Sequence, residues 1–469
     1  MTRLFGLILL APTAGFLLEA AAGFVHPDLP FRAWGGTLMV AGVAAAAAVA
    51  AGIPVGLALA HGKGRLPLAL TILPLLMPPM LAASVWMGLG LPVPGPVVCG
   101  LLLAAGMWPA VALLLFASLR ALPQATLDAA ELHLAPGRIL HRVAWPHARP
   151  SVLAGAAVVF LLSASDFTLP ATFSVRTVSL EIYERLSDFR FSSAAVAALP
   201  LVAMAIGLCR LLVRVPAFAA ASPSRPFLGP ATRRAVFLLA SGPWLAAALV
   251  PLSVFAIRVG SPGRLADLLA GYGPSMGWTA LYAGATAAAL IAWASWRTER
   301  SRLDFIWAAG LVLPGAVAAV GVMAVAGRSG MLPYLAPSGA LLVWALAARF
   351  AGAAWLPLRE PVDRAQLEAA NLAGWSQARR WLRVVWPAVA PRAAAAGVVV
   401  AALAVGEIGP AVLLSPPGRQ PIGLHLFNWM HYGHDETAAA LSLALMAAAV
   451  AAAWGVGYVG RGRRTAIAR

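Results

Sequence analysis

Apolar runs about as long as a bilayer core is thick recur along this chain, with arginine-bearing segments between them. A helix needs roughly 20 such residues to cross hydrocarbon. Twelve runs qualify: 4–22, 35–60, 66–90, 97–119, 151–170, 193–214, 236–257, 276–296, 305–326, 338–358, 393–414 and 437–459. Only 11% of the 469 residues are charged, against about a quarter in soluble domains. That charge cannot cover a water-facing surface, so the sequence predicts an all-α polytopic membrane protein with the lipid bilayer as its surroundings. The formal charge of +17 would suggest nucleic acid in a soluble chain. Here the arginines flank apolar runs, the pattern of loops that set orientation, and no nucleic-acid partner is expected. Cys99 and Cys209 both fall in apolar runs, where cysteine reads as a small buried residue.

The chain repeats itself. Ala41-Gly42 answers Ala283-Gly284, Leu73-Pro74 answers Leu313-Pro314, and Asp166 answers Glu407, at an offset near 240 residues. The repeat predicts two six-helix units, 1–214 and 236–469, joined by a Pro-, Ser- and Arg-rich linker at 215–235. An even number of spans per unit makes the halves parallel about an axis along the membrane normal. Arg3, Lys63, Arg65, Arg297, Arg300, Arg302 and the tail arginines Arg461, Arg463, Arg464 and Arg469 fall on one side in this scheme. The positive-inside bias then makes that side, with both termini, cytoplasmic.

Two segments are too charged to be turns between spans. The second, 359–392, runs REPVDRAQLEAANLAGWSQARRWLRVVWPAVAPR; the first, 120–150, runs RALPQATLDAAELHLAPGRILHRVAWPHARP. Asp128-Ala129-Ala130 matches Glu368-Ala369-Ala370, and Pro146 matches Pro387. Each segment reads as a short helix, a break, and a second helix that re-enters the membrane at a proline. Gly374 is free to take the positive φ that ends a helix. The alanines leave a low surface open to close approach, and the carboxylate beside them suits an arginine on a partner. A loop that only sets orientation would not need two matched copies.

The order Glu368-Ala369-Ala370, three residues, Gly374, then Pro387 resembles the cytoplasmic loop of ATP-binding-cassette importer permeases. The first copy departs from it: Asp128 replaces the glutamate and the glycine is missing near Leu134, with Pro136-Gly137 close by. The fused pair of units, the segment GEIGPAVLLSPPGRQPIGLHLFNWMHYGHDETAAA and Arg349 are similar to the iron(III)-type branch, which includes thiamine and phosphonate relatives. The resemblance implies a type I importer permease fold in a bacterial inner membrane, each unit carrying one coupling helix. It implies as partners two external ATPase subunits, which would hold ATP and Mg, and an extracytoplasmic solute-binding protein. No cofactor is expected on this chain, which has no G-x-x-x-x-G-K-[ST] phosphate loop and reads as a permease rather than an enzyme.

Ionisable residues near a span are functional candidates. Asp166, Arg349 and Glu407 are the candidates for a substrate pathway, with local capping and fold-stabilising pairing as the alternatives. Glu19 reads as snorkelling near the end of the first span. His425, His431 and His434 precede Asp435 and Glu436, but their spacing matches no compact ligand motif, and no metal site is expected. A twelve-helix secondary transporter driven by an ion gradient is the competing function. It calls for coupling residues near the bilayer midplane, of which Arg349 is nearly the sole example.

Overall fold

In the computed structural model the apolar runs become helices, and no strand occurs among the described residues, which are 2–23, 29–62, 66–76, 84–86, 94–212, 227–297, 305–312, 314–358, 364–432 and 436–447. The first part contains α1 (Thr2–Gly23), α2 (Trp34–His61), α3 (Leu66–Leu76), α4 (Gly95–Arg120), α5 (Gln124–Glu131), α6 (Pro136–Ser165), α7 (Thr168–Thr172), α8 (Val178–Ser187) and α9 (Phe191–Leu212). The second contains α10 (Pro230–Val259), α11 (Pro262–Ala270), α12 (Gly273–Trp296), α13 (Phe305–Val312), α14 (Gly315–Arg328) and α15 (Ala340–Leu358). It continues through α16 (Arg364–Leu372), α17 (377–405), α18 (Gly409–Leu414), α19 (Ile422–Tyr432) and α20 (Glu436–Ala447).

Among the described residues seven helices are long and apolar enough to cross a membrane, or eight if the bent pair within α17, Gln377–Ala390 and Arg392–Val405, counts as one. This is a polytopic membrane protein, but twelve unbroken spans do not form. Pro314 divides the run 305–326 between α13 and α14. The run 393–414 ends at Val405, beyond which the chain breaks before α18. The run 276–296 does form a helix, α12, yet its Ser, Thr, Tyr and Trp side chains leave it outside the apolar set. The linker also differs from expectation in its second part. Phe227 and Leu228 are buried, Phe227 lies edge-on to His61 at 4.4 Å, and helix begins at Pro230. Residues 213–226, most of the middle of 66–90 and the C-terminal tail from 448 lie outside the described residues.

Three π turns carry the same sequence signature. Leu140–Ala144, Leu245–Leu249 and Trp381–Val385 each end two residues before a proline, at Pro146, Pro251 and Pro387. Proline has no N–H, and its ring presses on the carbonyl four residues back. One wider turn just upstream gives that carbonyl room while the helix continues. Elsewhere a tertiary contact does the same work. Pro12 cannot donate to Ile8, and the freed Ile8 carbonyl accepts instead from Trp344 Nε1 on α15 at 2.8 Å.

Similar bonds recur in the first and second parts of the chain, whose helices pack against one another. Thr37 on α2 accepts from the Val178 amide at the start of α8 at 2.9 Å, and Thr279 on α12 accepts from the Ile422 amide at the start of α19 at 2.8 Å. α2, α4 and α6 pack together in one half, as α12, α15 and α17 do in the other. The first helix of each half lies against the opposite one: α1 along α14, and α10 along α2. Glu19 of α1 is tied down rather than snorkelling, paired with Arg328 of α14 at 2.7 Å and accepting from Ser192 Oγ of α9 at 2.9 Å.

The α1–α14 crossing brings backbone against backbone. A Cβ on Gly321 would lie 1.9 Å from the Pro12 carbonyl oxygen, whereas one on Gly327 in the same helix would meet nothing within 4 Å. Gly321→Leu should therefore lower the melting temperature of the purified protein, by an overpacking cost of about 1–3 kcal/mol. Gly327→Leu should leave it near wild type. Equal melting of the two variants would mean that the crossing is not a tight constraint.

Candidate functional site

The breaks that end α6 and α17 put the two matched carboxylates at one place in the molecule. Asp166 follows the last residue of α6, and Glu407 follows Gly406 at the end of α17. Residues from both parts of the chain line a cavity of about 280 Å³ whose wall includes both carboxylates and Arg349 of α15. Ser165, Thr168 and Ser179 add polar atoms to a wall otherwise built from residues such as Phe167, Phe350 and Leu403. The three pathway candidates thus converge, although they lie far apart in the chain.

Their local chemistry differs. Asp166 caps the short helix after it: its Oδ1 accepts from the Leu169 amide at 3.1 Å and from Thr168 Oγ1 at 3.0 Å. Its own carbonyl accepts from Ser179 Oγ at 2.6 Å, which fixes α8 beside it. Glu407 instead reaches across to α15, with Oε2 3.0 Å from Arg349 Nε, and both side chains are nearly buried. Local capping and structural pairing, the two alternatives left open by sequence, are divided between the two positions. Gly315 makes room for the carboxylate, since a Cβ there would fall 2.2 Å from Glu407 Oε1. Nothing in the sequence singled out Gly315, because its requirement arises only from α14 meeting the break before α18.

The docking candidates sit apart from this cavity, on two short helices. Asp128 and Ala129 on α5 are exposed and Ala130 is partly buried; on α16 Glu368 and Ala369 are exposed and Ala370 is buried. Pro146 and Pro387 are both exposed just past the π turns. In the second copy Gly374 has φ of +67°, and the Trp375 amide bonds back to the Ala370 carbonyl at 3.1 Å, a Schellman ending. Ser376 then caps the next helix by accepting from the Arg379 amide. The first copy turns without any left-handed residue: Leu134 N–H bonds to the Ala130 carbonyl at 2.8 Å. Gly137 does not make that turn, since Pro136 and Gly137 already belong to α6.

A feature missed in the sequence is the leucine that follows each alanine pair. Leu132 is 79% exposed and Leu372 is 91% exposed, at the same place in both copies. An apolar residue recurring at one offset within two polar loops was the signal available. In α19 His425 is occupied locally, with Nε2 3.0 Å from Ser275 Oγ and its ring stacked on Trp429 at 5.4 Å. Among the described residues no group of three or more metal-ligating side chains forms; His434 and Asp435 lie outside them.

Two outcomes are expected. Removing one partner of a nearly buried ion pair strands the other charge, at about 3–5 kcal/mol. Arg349→Gln and Glu407→Gln should each lower the melting temperature more than the double variant does; additive losses would show that the pair is not coupled. His425 lies in α19, outside the candidate spans, and burial pushes its imidazole below the ordinary value, about 6.5. Its unfolded form therefore takes up the proton more readily. Its contribution to stability is complete above that ordinary range and is lost as pH falls below it. Between pH 7.5 and 5.5, roughly spanning that range, melting of the wild type should drop further than that of His425→Gln. Parallel pH profiles would remove His425 as the cause. As for relatives, no family model, no curated protein and no solved structure matches the chain.

Proposed function

We propose that the chain is the transmembrane permease subunit of an ATP-driven solute importer, with the cavity at the seam as part of the solute pathway. Twelve membrane passages, some of them broken helices, in two homologous six-helix units with both termini cytoplasmic complete the reading. The observation that carries it is the pair of presented helices. α5 and α16 each expose an acid, an alanine and a leucine, and each leads through a π turn and a proline into a span that ends at the cavity. A leucine that protrudes from a polar loop suits a groove on a soluble protein. Two external ATPase subunits are the partners that this duplicated arrangement fits, with ATP and Mg held by them.

The cavity wall carries two carboxylates against one guanidinium. That balance favours a cationic cargo, in keeping with iron(III) or a similar small solute delivered by an extracytoplasmic binding protein. A bacterial inner membrane is the setting that goes with such a partner. An ion-gradient transporter is the second reading, favoured by the ion pair beside the cavity.

Co-expression with a candidate ATP-binding-cassette ATPase, followed by purification and uptake assays, tests this. Gly374 sits in a left-handed conformation, so a β-branched side chain there costs on the order of 1–2 kcal/mol. Gly374→Val, Glu368→Lys and Leu372→Asp should each cut co-purification and uptake, the last by more than about ten-fold if the leucine is an anchor. Leu134→Gly should change little. Wild-type behaviour of all three loop variants would remove the importer reading, and gradient-driven uptake by the purified chain without ATP would favour the second.

A further inference from the structure

Two apolar grooves meet on one flank of the first half. One, of about 320 Å³, is lined by Ile53 and Leu57 of α2, Leu115 and Leu119 of α4, and Leu140 and Trp145 of α6. The other, of about 410 Å³, again uses Ile53 and Leu57, now facing Val236 and Leu239 of α10. Both open at the end of the bundle that bears the charged loops. There the starts of α6 and α10 approach each other, with Gly229 beside Pro136. Arg138 and Arg142 on α6 and Arg233 and Arg234 on α10 are all exposed near this mouth. None of these four forms an ion pair with a described carboxylate. Arg120 ends α4 directly after the groove residue Leu119, which brings a fifth cation to the same end. Trp145 is 38% exposed at the groove edge, and indoles favour the headgroup layer of a bilayer.

The matching positions of the second part carry indoles. Leu140 and Trp145 correspond to Trp381 and Trp386, and the part of α2 around Ile53 corresponds to the end of α12. Trp296 and Trp381 stack at 4.9 Å, Trp381 and Trp386 at 5.4 Å, and Trp381 Nε1 donates to the Ser295 carbonyl at 3.2 Å. An indole stacked between two others thus stands at the position matching Leu140, and the cavity left beside it, of about 210 Å³, is bordered by the polar Asn371, Gln377 and Arg380.

We infer that this flank is a binding site for one anionic diacyl phospholipid, an acyl chain in each groove and the phosphate among the arginines. The shared wall at Ile53 and Leu57 suits two chains astride α2, and the charge at the mouth selects an anionic headgroup from the surrounding bilayer. A protein surface docked on the same arginines would leave the grooves unexplained. The inference needs only that the chain resides in a membrane, and it is independent of the importer reading.

The test uses the purified full chain in detergent, incubated with phosphatidylglycerol or phosphatidylcholine, with retained lipid counted by native mass spectrometry. The wild type should retain phosphatidylglycerol preferentially. Arg142→Gln with Arg233→Gln should weaken phosphatidylglycerol retention about five-fold per arginine and leave phosphatidylcholine unchanged. Leu140→Trp, which copies the second half, should reduce retention of both lipids. Melting in lipid-free detergent checks that each variant is folded, and the surface arginine pair serves if Leu140→Trp is not. Equal retention of the two lipids by the wild type, or unchanged phosphatidylglycerol retention in the arginine variant, would overturn the site. So would an arginine variant that loses a protein partner while keeping its lipid.

Discussion

A peptide group inside hydrocarbon has only the chain itself to bond with, and every larger feature of this protein follows from that constraint. Helices satisfy it residue by residue, which is why the described residues contain no strand. At four of the prolines within helices the lost bond is taken up by the chain itself. It is absorbed by a π turn in three helices and by the Trp344 indole at Ile8. Where the chain stops being helical at depth, side chains take over the amide bonds: Asp166 at α7, Thr37 at α8 and Thr279 at α19.

Those breaks also decide where charge can exist. A carboxylate on a lipid-facing helix would be costly, but the ends of α6 and α17 meet at the seam between the halves, where polar partners are at hand. Interlocking of α1 with α14 and of α10 with α2 holds that seam shut at the flanks. The cavity draws its wall from both parts of the chain, with one break from α6 and one from α17.

Much of this was written plainly in the chain. Helix class, membrane residence and the duplicated loops follow from run length, scarcity of charge and the matched residues Asp128 and Glu368. The convergence of Asp166, Arg349 and Glu407 was legible as three ionisable residues in apolar surroundings, because few places in a bilayer tolerate them. The span count was not. A hydropathy run cannot distinguish a single helix from two helices separated by Pro314, or from a span that ends at Val405 and is followed by α18. The split of roles between the two carboxylates was equally hidden, since an Asp can reach an amide three residues on while a Glu at the matching position extends to another helix. Gly315 and the α1–α14 crossing depend on close approach of distant segments, which leaves no local pattern to read.

The π turns have a geometric effect on what lies beyond them. Each places one residue more in its turn than an α-helix would, and a single residue is worth about 100° of azimuth. The azimuth of α6 below the turn, and with it the bearing of Asp166 about twenty residues on, is therefore decoupled from that of the loop above. Reversion of one turn to α geometry would swing the far end of the span by more than a quarter of a circle, carrying its carboxylate from the seam toward a neighbouring helix. Loop and cavity are in this way phased against each other along α6 by a single inserted residue.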